Sequence, residues 1–325
     1  MKPLISVIIP FYHGEKYIEN CLDSIRKQNY PALEVLVVDD GSGEESREIV
    51  AEYGKKYSMN ITIIPQENQG QGAARNTGMR EAGGKYLCFV DQDDTLAEGI
   101  LEKMADRAEK EKADIVSAGY RRVTTEGKVK QEIHLKDTRW SQYRVITPWS
   151  KLYLREFIEA HKISFLPVVL GEDIYFLIQA YAHGPKVAFL KDIGYNWLDN
   201  AVSVSNTEHK KLTAETSLLN LYDRLEKLEG AESLKKEPLY EYFLMKTAIW
   251  DILYTAGNNP YESVAANSER IWKWFDKHFP EYEKNPYVRP HKPEGEGMAV
   301  RLVIWGYLLL KKLHFEKILL RVISK

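Results

Sequence analysis

A chain of 325 residues with 44% hydrophobic residues has room for one large or two ordinary domains around a sizeable core, so folding needs no disulfide or structural metal. A formal net charge of −2 argues against a general nucleic-acid binder. Its two cysteines, Cys21 and Cys88, sit in apolar settings, as the buried thiols of a reducing compartment do. The amino terminus offers one Lys and a short apolar segment at 4–9 broken by Pro10, which does not read as a cleavable signal. No stretch has the length a transmembrane helix requires. The expected location is the cytoplasm or the inner face of the cell membrane.

The first 120 residues alternate strand and helix patterns. Strands are expected near 4–9, 33–39, 61–65, 85–90 and 114–120, with helices near 15–28, 44–57, 71–82 and 97–111. That alternation specifies an α/β fold, a mostly parallel sheet flanked by helices. Residues 121–207 are more irregular, with helices expected at 150–160 and 171–182 and short strands around 186–197. From 208 the pattern becomes helical, at 208–228, 235–257, 261–278 and 298–322, separated by Gly230, Pro260 and a Pro/Gly/Glu-rich stretch at 286–297. The expected organisation is a catalytic domain at 1–207, with a nucleotide-binding half at 1–120 and an acceptor half at 121–207, followed by a helical region at 208–325.

The chemistry concentrates where apolar strands end in acids. Residues 86–90 read as a strand covered on both faces, and they run directly into Asp91, Gln92, Asp93 and Asp94. Carboxylates at the carboxyl end of such a strand lie where open α/β sheets bind ligands. If the strand continues, Asp91 and Asp93 share a side and can hold a divalent cation and the oxygens of a diphosphate. Capping the next helix needs only one acid, and a calcium loop fails because Leu96 stands where Gly is required. Strands one and two end at the same edge, in Pro10-Phe11-Tyr12 and in Asp39-Asp40-Gly41-Ser42, and Ser42 with Glu45 has capping-box spacing. One of Asp39 and Asp40 is a turn residue, while the other suits a base imide N–H. The segment 68–78 opens the third helix with small residues and Arg75, a setting for phosphate oxygens or for a plain helix cap. Its partial G-x-G follows the third strand, which argues against hydride transfer.

In order and spacing, Ser6-Val-Ile-Ile-Pro10-Phe-Tyr12, Val38-Asp-Asp-Gly-Ser42, Asn68-x-Gly70, Ala74-Arg75-Asn76-x-Gly78 and Phe89-Val-Asp91-Gln-Asp93-Asp94 resemble family 2 glycosyltransferases of the bacterial polysaccharide type. Trp149-Ser-Lys151-Leu-Tyr and Gly171-Glu172-Asp173 extend the resemblance to about residue 205. The resemblance implies a GT-A fold and transfer of a sugar, with inversion, from a nucleotide diphosphate that is usually UDP. It places Pro10 and Tyr12 around the base and Asp40 on the base N–H, with Gly70, Arg75, Asp91 and Gln92 completing the nucleotide-sugar site; Lys151 suits a phosphate or acidic contact there or a solvated place on a helix. It assigns Mn²⁺ or Mg²⁺ to Asp93 with Asp91 nearby, and makes Asp173 the general base beside Glu172. Charge at a helix start is the alternative role of that Glu-Asp pair.

All seven Trp follow residue 139 and suit either sugar stacking or helix packing. His209, in a polar segment, is an additional candidate metal ligand or a surface residue. Residues 298–325 mix six cations, one acid and many large apolar side chains, the composition of a helix that lies on an anionic membrane, packs on its neighbours or forms a homodimer contact. The expected acceptor is a glycan or lipid-linked glycan of cell-surface polysaccharide synthesis. A sugar-phosphate nucleotidyltransferase would put a Gly-rich basic loop after strand one, where Phe11-Tyr-His-Gly-Glu-Lys offers little phosphate cradle. A catalytically silent assembly protein would have no use for Asp91, Asp93 and Asp173.

Overall fold

The computed structural model describes the chain except residues 167–170, 201–210 and 214–215. It divides into two compact units. One comprises Met1–Asp137, Val145–Val168 and Glu172–Asn200; the other comprises Thr138–Arg144, Val169–Gly171 and Ala201–Lys325.

The first unit is built on a nine-stranded sheet. Strands β1 (Ile5–Phe11), β2 (Leu33–Asp39), β3 (Ile61–Pro65) and β4 (Tyr86–Phe89) run parallel in the order β3-β2-β1-β4. All of β1 and β4 is buried, as expected of strands covered on both faces. Beyond β4 the sheet is mixed. Of the remaining strands, β5 (Thr95–Leu96), β6 (Ile115–Val123), β7 (Val129–Ile133), β8 (Lys151–Leu154) and β9 (Val187–Leu198), β8 pairs antiparallel with both β4 and β6. The helix expected at 150–160 is therefore strand β8 followed by a short helix. The run Lys151-Leu-Tyr-Leu is too brief to show a helical period, and its burial between two strands decides its state.

Helices α1 (Glu15–Arg26), α2 (Glu44–Tyr57), α3 (Gln71–Glu81) and α4 (Ile100–Glu111) cross between these strands, and α5 (Arg155–Ala160) and α6 (Glu172–Ala182) follow β8. Helix α1 buries Ile18, Cys21, Leu22 and Ile25, one face of a 3.6-residue period. Helix α3 has no such face. It buries Gly72, Ala74, Arg75 and Gly78, and Gly78 lets its backbone approach β1 closely. The capping box expected of Ser42 and Glu45 does not form, because the N-cap of α2 is Gly43; Ser42 instead accepts a hydrogen bond from the His13 N–H at 2.9 Å.

The second unit is helical: α7 (Leu218–Leu225), α8 (Ala231–Lys235), α9 (Pro238–Ala256), α10 (Tyr261–His278), α11 (Met298–Lys312) and α12 (Glu316–Ile323). Trp140 and Tyr143, from a 3-10 turn at Arg139–Tyr143, pack on Tyr242 and Phe243 of α9. The single helix expected at 298–322 breaks at Leu313–Phe315. His314 adopts φ +62°, and the Phe315 N–H turns back to the Leu310 carbonyl at 2.8 Å, a left-handed helix stop. The reversal lets Glu316 accept hydrogen bonds from Ser268 at 2.5 Å, Tyr307 at 2.6 Å and Trp272 at 3.1 Å.

A Cβ at Gly78 would lie 2.4 Å from Ile8 Cγ2 of β1. In an open helix Gly→Ala would gain about 1 kcal/mol. Here Gly78→Ala should instead lower stability by about 1–3 kcal/mol, the usual cost of overpacking, as read by urea denaturation. A stabilised variant would mean that α3 does not sit this close to β1.

Candidate functional site

The parallel register brings three strand ends to one edge. Phe11 pairs with Asp39, and Ile8 with Phe89, so Tyr12, Asp40 and Asp91 emerge side by side from adjacent strands. Pro10 is buried within β1. Its missing N–H falls on the β4 side, just beyond the last ladder bond there, Val90 N–H to the Ile8 carbonyl at 3.1 Å. Tyr12 is 47% exposed, an open aromatic face at this edge. Gln92 ties the neighbouring strand exits together: its Oε1 accepts from the Tyr12 N–H at 2.8 Å and its Nε2 donates to the Tyr12 carbonyl at 3.0 Å. A Cβ at Gly14 would strike that amide at 2.3 Å, so the glycine clears its path.

Both acids of the second strand end are buried and engaged. Asp39 accepts from Arg47 and from the Ser42 N–H, each at 2.8 Å. Asp40 Oδ1 accepts from Gln66 Nε2 at 2.7 Å and the Gln69 N–H at 2.9 Å, and its Oδ2 accepts from the Gly70 N–H at 2.8 Å. Asp40 thus anchors the loop that carries Gly70, and one lone pair of Oδ2 remains for a further donor.

Arg75 is wholly buried beneath this loop. Its Nη2 donates to Asp91 Oδ1 and its Nη1 to Asp173 Oδ1, both at 2.8 Å, with the guanidinium 5.1 Å from the centre of the Phe165 ring. Burial opposes its charge, but Asp91 and Asp173 outweigh burial and hold its pKa above the ordinary value. Asp173 lies in the first turn of α6, and 27% of its side chain meets solvent. Burial, with the charges of Glu172 and Asp91, pushes its carboxyl up to about 7 against the opposing pull of Arg75. Burial also raises the Glu172 carboxyl.

Strand β4 does not continue through the acids. It stops at Phe89, and the Asp94 N–H closes a turn onto the Asp91 carbonyl at 3.0 Å. The turn gives the three acids different surroundings. Asp91 accepts from Arg75 and, at 2.9 Å, from Gln71. Asp94 is 2% exposed and accepts the Leu198 N–H at 2.7 Å, which binds the turn to the end of β9. Asp93 accepts from Asn200 at 2.9 Å and borders a cleft of about 360 Å³ lined by Tyr17, Asn20, Thr95 and Leu198. Burial and the neighbouring Asp91 push the Asp93 carboxyl up to about 6.

Among the described residues no group of three or more His, Cys, Asp and Glu is placed to hold a metal. A divalent cation still fits the donor set. Asp91 and Asp93 supply hard oxygens and surplus negative charge, and Mg²⁺-type ions take one or two carboxylates with the rest from phosphates and water. His209 lies outside the described residues.

Lys151 does not reach the site as expected of a phosphate contact. It is 0% exposed on β8, and its Nζ donates to the carbonyls of Val145 at 2.8 Å and Thr147 at 2.7 Å, holding the preceding loop. Burial pulls its pKa down to about 7. Trp140, Trp149, Trp272 and Trp274 are core residues, whereas Trp250 and Trp305 are exposed. Sequence reasoning missed Gln71, Phe165, Tyr195 and Asn200. Gln71 adjoins the Gly70 motif and could have been found there. Tyr195, whose hydroxyl accepts the Asp91 N–H at 3.0 Å and whose ring stacks on Trp149, lies over 100 residues away with no local signal.

If Arg75 neutralises both carboxylates, Arg75→Met should cost about 3–5 kcal/mol, the usual penalty for stranding a buried charge. Without the cation the folded pKa of Asp173, already pushed up to about 7, rises further above its unfolded value. The fold then binds that proton more tightly than the unfolded chain, and stability falls as pH rises through the folded value. Denaturation at pH 5 and pH 8 should therefore show the larger loss at pH 8, and an equal loss at both would contradict the charge argument.

Residues 6–167 match the model of the family described as glycosyl transferase family 2. A Bacillus subtilis relative named as the uncharacterized glycosyltransferase EpsJ is 28% identical over 98% of this chain and 97% of its own. Staphylococcus aureus TarS, a poly(ribitol-phosphate) beta-N-acetylglucosaminyltransferase, is 29% identical over 58% of this chain and 34% of its own. The crystal structure of its residues 1–349 with UDP-GlcNAc superposes with a TM-score of 0.59 at 22% identity, covering 90% of this chain and 95% of that one. A mannosyltransferase of Pyrobaculum calidifontis, solved with GDP-Man and Mn²⁺, gives a TM-score of 0.51 at 17% identity, covering 96% and 88%.

Proposed function

Because the chain belongs to glycosyl transferase family 2 through residues 6–167, with the GT-A fold, we propose that it is an inverting, metal-dependent enzyme of cell-surface polysaccharide synthesis. It moves a sugar from a nucleotide-diphosphate donor, a UDP-sugar, to a glycan or lipid-linked glycan. The observation that carries this reading is the pair of carboxylates, Asp91 and Asp173, each held by one Nη of the same buried guanidinium at the sheet edge where Tyr12 is exposed. TarS, which shares the fold, is a transferase that binds UDP-GlcNAc, which supports a UDP-sugar donor.

In this reading residues 1–120 bind the nucleotide, 121–207 face the acceptor and 208–325 form a helical appendage. Tyr12 covers the base, the free lone pair of Asp40 takes its imide N–H, and Gly70 and Gln92 shape the same edge. Asp93, with Asp91, would hold Mn²⁺ or Mg²⁺, which would supply positive charge for the departing diphosphate. Asp173 accepts the proton of the attacking hydroxyl, and a carboxyl raised towards neutrality is better matched to that task than an ordinary one. Arg75 keeps Asp173 in place. A lipid-linked acceptor puts the enzyme at the cytoplasmic face of the membrane.

Asp93→Asn removes a charge that burial already disfavours, so the fold should remain intact. Mn²⁺-dependent UDP binding, measured by calorimetry, should weaken by at least the roughly tenfold that loss of even an outer-shell partner causes. Unchanged binding would remove Asp93 from the metal.

Asp173→Asn should preserve UDP binding while lowering transfer by about 10²–10⁴-fold, the range of general-base catalysis. In the unsubstituted enzyme transfer should rise with pH and level off above about 7, as the Asp173 carboxylate forms. Near-normal transfer by the variant would move the base to another residue, Glu172 first.

A further inference from the structure

Helix α11 is apolar on two opposite faces. Ile304, Tyr307 and Leu308 are buried within the helical unit. Met298, Leu302, Trp305 and Leu309, spaced i, i+4, i+7 and i+11 along one stripe, are between 39% and 67% exposed. The α12 region repeats the arrangement: Leu320 is buried, while Phe315, Ile318 and Val322 are 51%, 59% and 77% exposed. Packing therefore accounts for one face of each helix and leaves the other unexplained. Scattered apolar residues on a surface need no explanation, but two periodic stripes on consecutive helices do.

The charge of the segment itself is mostly of one sign, although Lys311 lies 4.0 Å from Glu283 of the preceding segment and Glu269 of α10 is near Lys317. Residues 298–325 carry Arg301, Lys311, Lys312, Lys317, Arg321 and Lys325 against Glu316. Glu316 is occupied inside the bundle by its three hydrogen bonds to Ser268, Trp272 and Tyr307, whereas Lys312, Lys317 and Arg321 are exposed. Two copies meeting through this surface would oppose like charges. An anionic surface would satisfy them. At 1.5 Å per residue the fifteen residues of α11 extend only about 22 Å, and among the described residues no helix is long and apolar enough to cross a membrane.

We propose that the exposed faces of α11 and α12 dock in the plane of an anionic phospholipid bilayer, with the Lys and Arg side chains on the lipid phosphates and the two apolar stripes in the acyl boundary. This deepens the peripheral placement that a lipid-linked acceptor requires. Its test reads lipid binding without any sugar transfer, so its failure would leave the transfer reading standing.

The experiment is flotation of the full chain on phosphatidylglycerol–phosphatidylcholine vesicles and on phosphatidylcholine vesicles, at low and high salt. The unsubstituted chain should float with the anionic vesicles at low salt and much less with the neutral ones. Two double variants change only exposed residues: Trp305→Gln with Ile318→Gln, and Lys312→Glu with Lys317→Glu. Both should unfold at the same temperature as the unsubstituted chain, and each should lower partitioning by about tenfold or more, given roughly 1 kcal/mol per basic residue at such a surface. The proposal is overturned if the full chain stays unbound with anionic vesicles, if neutral vesicles bind it equally, or if both folded variants partition as before. A dimer in sedimentation that the Trp305→Gln, Ile318→Gln variant dissolves would overturn it too, assigning the stripes to a second copy.

Discussion

A buried guanidinium shared between two carboxylates constrains the rest of the catalytic unit. Arg75 reaches 16 residues forward to Asp91 and 98 residues forward to Asp173, so it fixes the end of β4 and the start of α6 to α3 at once. Ion pairs out of water are weak sources of net stability, because desolvation consumes most of the attraction. What they enforce is position: moving either acid leaves a charge stranded. The features around Arg75 follow from that requirement. Helix α3 carries Gly78 where it lies against β1. Phe165 closes one face of the guanidinium and stacks in turn on Phe176 of α6, with ring centres 4.1 Å apart. The acids attached to Arg75 retain partial access to solvent, Asp91 at 19% and Asp173 at 27% of the side chain.

The turn after β4 shows how one short sequence meets different demands. Asp91, Asp93 and Asp94 are near neighbours, yet Asp91 joins the buried arginine, Asp94 holds the end of β9 and Asp93 borders an open cleft. The sheet supports this division. Its parallel half delivers the strand ends to one edge, while its mixed half brings β9 alongside, so that Tyr195, Leu198 and Asn200 reach the acids from the other side. A purely parallel sheet would leave the turn with partners from one direction only.

Much of this was legible in the sequence, for definite reasons. The four parallel strands and α1 to α4 announce themselves by apolar runs and helical periods, and the acids by their place after such runs. Pairing was not legible. Strand β8 is four residues long and carries a lysine, and only its burial between β4 and β6 makes it a strand. The same burial withdraws Lys151 from any ligand. Asp40 reads as a residue waiting for a ligand, whereas three of its acceptor positions hold its own loop, a contact that depends on how residues 66–70 return to the sheet edge. The break at His314 was hidden because its cause, the seat of Glu316 on Ser268, Trp272 and Tyr307, is tertiary. Membership of the Thr138–Arg144 segment in the helical unit has no local signature either.

The central claim is that the Arg75-clamped acids flank the reacting diphosphate, with the leaving-group side at Asp91 and Asp93 and the base side at Asp173. Anomalous diffraction from crystals grown with Mn²⁺ and UDP tests it most directly. The account predicts a manganese peak within bonding distance of an Asp93 or Asp91 oxygen, in contact with the diphosphate, and the β-phosphate facing Asp173. A diphosphate bound elsewhere on the chain, or a manganese peak remote from both aspartates, would contradict it.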